Sequence, residues 1–541
     1  MEPAPPRCSL DRAPDGAALI GVLDAIRGAL PDHLRGRRWF RSKGRTMTAV
    51  TVADAAVLRL APAGELAGAL VLLDVGYAAG PGETYCLPLA ARPARALPPD
   101  AVPLARLGAP DGDWVLYDGL DDPAVCLALL RRLEDADDLP ARVGTFGFDR
   151  TPVLSQATGG AHPMPVATLR RLRGEQSNTS VVCDDRLVLK VFRRVDLGEN
   201  PDLEIGRFLT LRARFRHVPQ LAGFARYQAP TGTRTVVLLN TFVANAGDGW
   251  TWTLAALRGF YAAAGTRPAR GEGVEAETPA LAGGYPDGAR RLGEVTGELH
   301  VALASEPDDP AFAPEPVTAA DLDGWGAAIE AQVGQALGEL RRVGGRAAGP
   351  AAAEIERVLA GAGAAAAKIR HAMARLAGVP LWKTRGHGDY HLGQVLRVAG
   401  AAHDFVILDF EGEPARPLEE RRAKHSPLRD VAGMLRSFTY ASWAGLFEAT
   451  GGSGGAGAGG PLEPWRVAWE TAAARAFLQG YLAATVERGV ELVPPAREVR
   501  ELLLSVFCLE KAAYELSYEI NNRPSWLPIP LAAFERELAA S

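Results

Sequence analysis

Two stretches of the chain decide its fold, RGHGDYHLGQVL at Arg385–Leu396 and FVILDFEGEP at Phe405–Pro414. The first places Asp389 in a tight His-Gly-Asp turn, with an amide side chain, Gln394, five residues later. In the second, an apolar run predicts a short strand that ends at another acid, Asp409. An acid, an amide and a strand-borne acid at this spacing suit one chemistry, the transfer of a phosphoryl group from a metal-bound nucleotide to a hydroxyl.

Each of the three side chains has its own task in that chemistry. Asp389 would accept the proton of the attacking hydroxyl and orient that hydroxyl for in-line attack. Gln394 and Asp409 would offer oxygen ligands to Mg²⁺, a hard cation that prefers them. Taken singly, a His-Gly-Asp turn or an acid after a strand is common loop chemistry. The prediction therefore rests on the combination and its spacing.

Length and composition limit the remaining possibilities. A chain of 541 residues predicts two or three domains, and 48% hydrophobic with 23% charged residues is ordinary globular composition. The formal net charge of −5 gives no electrostatic footprint for nucleic acid. The five cysteines are widely spaced and odd in number, which favours free thiols in a reducing compartment. Since no apolar run approaches the roughly 20 residues of a membrane span, we expect a soluble cytoplasmic protein.

The order of sequence patterns along the chain predicts three units. Apolar and β-branched runs broken by Gly, Pro and Asp predict a small α+β cap at 1–145 and a second strand-rich unit at 146–247. From 248 to 541, apolar positions at three- and four-residue spacing predict mainly helices. A β-rich lobe followed by a helical lobe that carries the acid-bearing hairpin indicates an α+β, bilobal fold like that of the eukaryotic protein kinases.

The strand-rich unit contains candidate groups for binding nucleotide phosphates. Lys190 lies in the predicted strand of RLVLKVFRR, where an unpaired ammonium facing the core would be costly, and Glu204 in the next predicted helix is a natural partner. Such a Lys–Glu pair anchors phosphates in kinases, although Lys190 could instead point outward from a strand edge. Upstream, GEQSNTSV at Gly174–Val181 takes the place of a glycine-rich loop, with hydroxyl and amide groups at Ser177, Asn178, Thr179 and Ser180.

These residues together resemble those of the maltokinases, ATP-dependent maltose 1-phosphotransferases related to the aminoglycoside phosphotransferases. The resemblance covers nearly the whole chain, and its blocks include RRWFRSKGR (Arg37–Arg45), LVLKVFRR, HGDYHLGQVL, ILDFEGEP and YELSYEINNRPSWLPIPL (Tyr514–Leu531). The last block and Gln394 are the most specific features, because ordinary aminoglycoside phosphotransferases usually carry Asn at the latter position.

The resemblance implies a fold and a set of roles. The fold would comprise an N-terminal cap, a nucleotide-binding subdomain and a helical C-terminal lobe, with ATP and Mg²⁺ as cofactors. Asp389 resembles the catalytic base, Gln394 and Asp409 the magnesium ligands, and Lys190 with Glu204 the phosphate-binding pair. The remaining carried-over roles are bracing of the catalytic loop by Asp430 and contact with the adenine by Thr241 and Val243.

The last helical segment suggests where a sugar would bind. Tyr514 and Tyr518 are four residues apart on one helix face, so both could stack on a disaccharide, and Glu519 and Arg523 offer hydrogen-bonding groups nearby. The tyrosines could equally be core residues whose hydroxyl groups reach solvent. Nearer the catalytic acids, the further candidates for contacting substrate or ordering the loop are His391 and Glu411.

The sequence therefore predicts an enzyme that phosphorylates maltose at its anomeric hydroxyl, with alternatives left open. One is a kinase of another sugar, such as glucosamine. The other is a non-catalytic partner of trehalose synthase, because the blocks also resemble the maltokinase module fused to that enzyme in some bacteria. A degenerate kinase would be expected to lack at least one of Lys190, Asp389, Gln394 and Asp409. Association with a separate trehalose synthase stays open.

Overall fold

A computed structural model describes residues 5–60, 66–172, 177–267, 272–345, 350–452, 460–488 and 491–539. The chain divides into two compact units, Met1–Thr210 with Pro219–Val243, and Leu211–Val218 with Ala244–Ser541. The predicted cap and most of the predicted nucleotide-binding region belong to the first unit, whereas Leu211–Val218 belongs to the second; the first unit ends four residues before the predicted boundary at 247. Strands dominate the first unit and helices the second, so the predicted α+β class is confirmed.

The first unit contains two sheets. The sheet of the cap is six-stranded, in the order β1-β5-β6-β4-β3-β2. Its strands are β1 (Arg7–Ser9), β2 (Met47–Leu58), β3 (Ala67–Tyr77), β4 (Glu83–Pro93), β5 (Pro103–Ala109) and β6 (Gly112–Asp118). The second sheet is seven-stranded, in the order β7-β8-β12-β13-β11-β10-β9. Its strands are β7 (Leu139–Pro140), β8 (Thr145–Arg150), β9 (Leu169–Arg171), β10 (Asn178–Cys183), β11 (Leu187–Phe192), β12 (Leu221–Ala229) and β13 (Gly232–Thr241).

Five helices accompany these sheets in the described part of the first unit. They are α1 (Gly16–Ala25), α2 (Leu30–Gly36), α3 (Pro123–Asp135), α4 (Pro152–Thr158) and α5 (Pro201–Leu211). Apolar side chains of β3 and β4 are buried on both faces of the cap sheet. One face contributes to a core with α1 and α2, and the other to a core shared with α3 and the second sheet. The cap is thus fused to the second sheet by a common hydrophobic core.

A buried carboxylate fastens the cap strand β2 to the turn that precedes β8. Asp54 accepts hydrogen bonds from the backbone N–H of Arg142 at 2.9 Å, the backbone N–H of Gly144 at 2.8 Å and the hydroxyl of Tyr227 at 2.6 Å. Burial opposes ionisation of this carboxyl, but the hydrogen bond from Tyr227 and those from the backbone hold its pKa below the ordinary value. Asp54 therefore stabilises the fold as an anion.

Replacing Asp54 by Ala is expected to lower the free energy of unfolding by about 3 kcal/mol, because several buried donors would lose a charged acceptor. Since the folded pKa lies below the unfolded one, this loss should be full near neutral pH and shrink as the pH falls through the folded pKa. Urea unfolding at several pH values measures it. Asp24→Ala, at an exposed position of α1, should change stability by less than about 0.5 kcal/mol; an equal loss in both variants would contradict the assignment.

The second unit is mainly helical. Its helices are α6 (Gly249–Ala264), α7 (Glu272–Ala282), α8 (Tyr285–Leu303), α9 (Ala319–Gly344), α10 (Pro350–Ala360), α11 (Ala362–Leu376), α12 (Leu418–Arg422), α13 (Leu428–Thr450), α14 (Glu463–Ala484), α15 (Arg497–Asn522) and α16 (Pro528–Ala539). A three-stranded sheet has the order β14-β17-β18, and a two-stranded sheet pairs β15 with β16. These strands are β14 (Asn245–Asp248), β15 (Glu315–Pro316), β16 (Trp382–Lys383), β17 (Val395–Val398) and β18 (Phe405–Ile407). Within the described ranges, no helix combines the length and the apolarity that crossing a membrane requires.

Buried ion pairs fix the helix α15 against α13. Arg436 donates to Glu515 at 2.6 Å, and the guanidinium is almost fully buried. Two turns earlier along α13, Arg429 binds Glu510, and one turn later Tyr440 donates to Glu519 at 3.1 Å. Because a mismatched buried charge is costly, this ladder of pairs allows a single register between the two helices. It sets which side chains of α15 meet the His-Gly-Asp loop.

Candidate active site

The His-Gly-Asp turn lies in the segment between β16 and β17, and a buried carboxylate holds its backbone. Asp430, near the start of α13, accepts hydrogen bonds from the backbone N–H of His387 at 2.7 Å and of Gly388 at 3.0 Å. Gly388 has a φ of +82°, which a residue with a side chain rarely adopts. A Cβ at Gly386 would come within 2.7 Å of the Asp430 carboxylate, so glycine is required there for space.

Asp430 is ionised in this environment. Burial opposes the charge, but the hydrogen bond from His300 Nε2 at 3.2 Å and those from the backbone lower the pKa of the carboxyl to about 2. His300 Nδ1 in turn lies 3.0 Å from the hydroxyl of Tyr481. The acid predicted to brace the catalytic loop thus contacts that loop directly, through groups that favour its anion.

His387 connects the turn to the strand that carries the second acid. Its Nδ1 accepts a hydrogen bond from the backbone N–H of Asp389 at 3.3 Å, so its Nε2–H donates to the carbonyl of Leu408 at 2.8 Å. In this tautomer the proton lies on Nε2. One histidine ring therefore sets the spacing between Asp389 and the residue that precedes Asp409.

The predicted base, Asp389, meets a lysine that the sequence analysis did not single out. Lys511 of α15 places Nζ 3.0 Å from Asp389 Oδ1. Burial disfavours both charges, yet the Lys511 ammonium holds the pKa of Asp389 below its ordinary value, and Asp389 raises the pKa of Lys511. Lys511 precedes Tyr514 and Tyr518 by three and seven residues, and this helical spacing could have identified it.

Asp389 and Lys511 line a pocket in the second unit. Further wall residues with charge are Glu413, Arg416, Arg429, Asp430 and Glu510, and Tyr514 adds an aromatic ring. Arg416 donates to Glu413 at 3.0 Å and to Glu510 at 3.3 Å, so these two acids are compensated. The pocket therefore contains the Asp389–Lys511 pair beside a second group of charges, in which Arg416 compensates the two glutamates.

Gln394 and Asp409 lie side by side. The amide Nε2 of Gln394 is 3.1 Å from Asp409 Oδ2, and a half-turn of the amide would present Oε1 at the same place. A carboxylate oxygen of Glu411 lies within 4.8 Å of one from Asp409. Asp409 has a φ of +63°, a strained conformation for a residue with a side chain and one that recurs at functional sites. These oxygen donors fit Mg²⁺.

The other predicted substrate residues divide into two groups. Tyr514 and Tyr518 stack with ring centroids 6.4 Å apart, and Tyr518 is 41% exposed. Glu519 is buried and accepts hydrogen bonds from Arg523 at 2.6 Å and from Tyr440 at 3.1 Å. His391 caps the short turn before β17, its Nδ1 accepting from Gly393 N–H at 3.0 Å. Tyr518 thus presents exposed ring surface, whereas Tyr514 is half-buried with the Lys511 ammonium 4.9 Å from its ring. Glu519 and His391 hold local structure.

The predicted nucleotide-phosphate residues lie in the first unit. Lys190 of β11 is opposite Ser180 of β10 in the sheet register, so their side chains share a face. Its Nζ lies 2.8 Å from Asp202 Oδ2 in the first turn of α5, an acid that the sequence analysis did not consider. The predicted partner Glu204 is buried two residues further along α5. Lys190 is thus held by a carboxylate of this helix.

The rest of the predicted nucleotide site is only partly described. Ser177, Asn178 and Thr179 lead into or begin β10, whereas Gly174–Gln176 of the same loop lie outside the described residues. Thr179 Oγ1 accepts from Arg193 at 2.9 Å. At the end of β13, Thr241 Oγ1 accepts from the backbone N–H of Gln220 at 2.9 Å, and Val243 is the last residue of the unit.

Comparison with known proteins agrees with this arrangement. Residues 33–122 match the family model of the maltokinase N-terminal cap domain. The chain is 29% identical over 403 residues to a glucosamine kinase of Streptacidiphilus jiangxiensis, covering 71% of this chain and 75% of that one. It is 28% identical over 442 residues to a glucosamine kinase of Mycolicibacterium smegmatis, covering 81% of this chain and 92% of that one.

A solved structure extends the likeness to the fold. The structure of a glucosamine kinase in complex with glucosamine, ADP and inorganic phosphate superposes with a TM-score of 0.61 at 20% identity, over 90% of this chain and 93% of that one. At this identity the match concerns the fold. The cap domain, the kinase relatives and the kinase fold together support the resemblance drawn from the sequence. The chain is thus similar to the maltokinases in its cap domain and to glucosamine kinases over most of its length.

Proposed function

We propose that the protein is an ATP- and Mg²⁺-dependent kinase that phosphorylates maltose at the anomeric hydroxyl, giving maltose 1-phosphate for α-glucan synthesis from trehalose. The kinase relatives, and the ADP bound to one related glucosamine kinase, support a phosphotransferase that uses ATP. The observation that carries the proposal is the Asp389–Lys511 pair in the pocket wall, with Gln394 and Asp409 on the adjoining hairpin.

The proposed reaction assigns a step to each of these groups. The sugar hydroxyl donates its hydrogen bond to Asp389, which takes the proton as the oxygen bonds to the terminal phosphorus of ATP; the bond from that phosphorus to the bridging oxygen breaks, and ADP leaves. Gln394 and Asp409 would hold a magnesium ion, which would neutralise phosphate charge. Lys190, kept in place by Asp202, binds phosphate oxygens of the nucleotide. Lys511 keeps Asp389 ionised until the hydroxyl arrives.

The charge at the base favours a neutral sugar over glucosamine as substrate. The Lys511 ammonium already occupies the position beside Asp389, so an amino group on the sugar would add a second cation there. The exposed ring of Tyr518, stacked on Tyr514, offers surface to a neutral disaccharide. Glucosamine remains the second candidate, because the related proteins are glucosamine kinases.

Phosphorus NMR of the protein with ATP, Mg²⁺ and maltose tests the proposal. We expect a new anomeric phosphate signal with maltose that Asp389→Asn does not produce. A product from glucosamine and none from maltose would keep the kinase assignment and overturn the substrate. Nucleotide binding without any sugar phosphate would instead favour a non-catalytic partner, and pull-down with trehalose synthase would then test that role.

Replacing Lys511 by Met is expected to lower kcat/KM for the sugar by about tenfold, because it removes a charge-assisted partner of the base. Because Lys511 lowers the pKa of Asp389, its loss should raise that pKa and move the acidic limb of the pH profile of kcat/KM to higher pH. Steady-state rates between about pH 3 and pH 9, a range that includes the acidic limb, measure both effects. Lys511→Arg, which keeps the charge, should leave the acidic limb in place; an unshifted limb in Lys511→Met would contradict the role.

A further inference from the structure

The cap motif RRWFRSKGR has no role in the proposed reaction, yet its first three residues line a cavity. The cavity lies within the first unit and holds about 540 Å³, inside the range of small-molecule sites. The charged residues of its lining are Arg37, Arg38, Arg170, Arg171, Asp100 and Asp121. Four arginines and two aspartates give this lining, here called the cap cavity, a net charge of +2. Its charge suits an anion.

The uncharged lining of the cap cavity is mostly apolar and aromatic, with Asn178 and Thr179 as its polar members. Its apolar wall residues are Leu120, Pro123, Cys126, Leu169, Leu172 and Val181. Trp39 adds an indole ring that is only 4% exposed. An inorganic ion would leave this surface without a partner, whereas a ligand that joins an anionic group to a compact organic body would cover it. The lining therefore fits an organic anion better than a free ion.

The cap cavity lies on the opposite face of the second sheet from the predicted phosphate-binding lysine. Ser180 of β10 pairs with Lys190 of β11, so these two side chains point to one face. Thr179 and Val181, which line the cap cavity, alternate with Ser180 and point to the other. Asn178, which also lines the cavity, is in phase with Ser180 at the start of β10, so the cavity reaches the Lys190 face only at that end of the strand.

Buried polar groups near the cap cavity have spare hydrogen-bonding capacity. Arg193 is fully buried and binds Asp118 at 2.7 Å and Thr179 at 2.9 Å, with its guanidinium 4.8 Å from the ring of Trp39. Among the described residues, Arg193 Nη1 and Trp39 Nε1 have no hydrogen-bond partner. Buried donors without acceptors are rare in folded proteins, and a bound ligand is one way to satisfy them.

We propose that the cap cavity is a second ligand site, which binds an organic phosphate. The arginines would bind the phosphate, since their planar groups suit phosphate oxygens, and the organic body would lie on Trp39 and the apolar wall. A small sugar phosphate has both parts and the right size. β10 contributes residues to the cap cavity and pairs with β11, the strand that carries Lys190. A ligand bound in the cavity would therefore contact the strand next to the proposed nucleotide site.

Isothermal titration of the full-length protein with glucose 1-phosphate, with ADP and Mg²⁺ saturating the nucleotide site, tests the proposal. We expect one-to-one binding that is at least about fivefold weaker in Arg38→Gln and in Arg171→Gln, because each loses a charged partner of the phosphate. Arg38 is exposed, so its replacement should leave the fold intact. Inorganic phosphate, run as a separate arm, should bind more weakly than glucose 1-phosphate.

Arg35→Gln is the matched control, because Arg35 is two residues before Arg37 and binds Asp32 outside the cavity. It should bind glucose 1-phosphate within about twofold of the unmodified protein. Absence of binding in the unmodified protein, or binding that Arg38→Gln and Arg171→Gln leave unchanged, would overturn the proposal. Equal affinity for inorganic phosphate would overturn the assignment of an organic ligand. None of these outcomes depends on which sugar the enzyme phosphorylates.

Discussion

Replacing Asp389 by Asn is expected to lower kcat for sugar phosphorylation by about 10²–10⁴-fold, because an amide cannot accept the proton of the attacking hydroxyl. The size of Asn is almost that of Asp, so the turn held by Asp430 should keep its backbone hydrogen bonds. Nucleotide affinity should change little, since Lys190 and its partner Asp202 are untouched. Single-turnover rates with saturating ATP measure the chemical step, and nucleotide titration measures the affinity.

The control for this variant is Asp323→Asn, which removes an exposed acid of α9 in the same unit. Its kcat should stay within about twofold of the unmodified protein, because a surface acid away from the pocket contributes little to catalysis. If Asp389→Asn kept more than a tenth of the activity, another group would have to accept the proton. The nearest candidates would be the carboxylates of the pocket wall, Glu413 and Glu510.

The sequence predicted well those features of the site that depend on neighbouring residues. Gln394 and Asp409 flank one short hairpin, β17–β18, so their spacing along the chain brings their side chains within 3.1 Å. Fold class followed equally from local patterns, because strand and helix periodicities are read over short windows. Side chains that flank the same hairpin can be predicted to lie close together without knowledge of any tertiary contact.

Contacts between distant segments were beyond such reasoning. Lys511 meets Asp389 across 122 residues, and only the register of α15 on α13 makes the contact. The acid beside Lys190 depends on how α5 is rotated, and both Asp202 and Glu204 lie in its first turn. Glu519 looked like a sugar ligand, but the structure buries it against Arg523 and Tyr440. The rotation of a helix and its register against a neighbour depend on tertiary packing, so they cannot be predicted from a short stretch of sequence.

Replacing Asp430 by Asn is expected to lower kcat/KM by about 100-fold. The catalytic turn would lose its charged acceptor, and a displacement of Asp389 by about 1 Å is enough for a loss of that size. The replacement should also destabilise the fold. Lowering the pKa from 3.8 to about 2 corresponds to roughly 2 kcal/mol of stability in the ionised form. Initial rates and urea unfolding at pH 7 measure the two effects.

The pH dependence separates this role from simple loss of packing. The folded pKa of Asp430 is below the unfolded one, so its contribution is complete above about pH 5 and declines as the pH falls toward 2. The difference in stability between the unmodified protein and Asp430→Asn should therefore shrink between pH 7 and pH 3. A packing defect would give a difference that does not depend on pH. The negative charge of Asp430 is therefore needed for the geometry of the turn that bears Asp389. The backbone N–H groups of that turn bind the carboxylate, and the hydrogen bond from His300 keeps the carboxylate ionised.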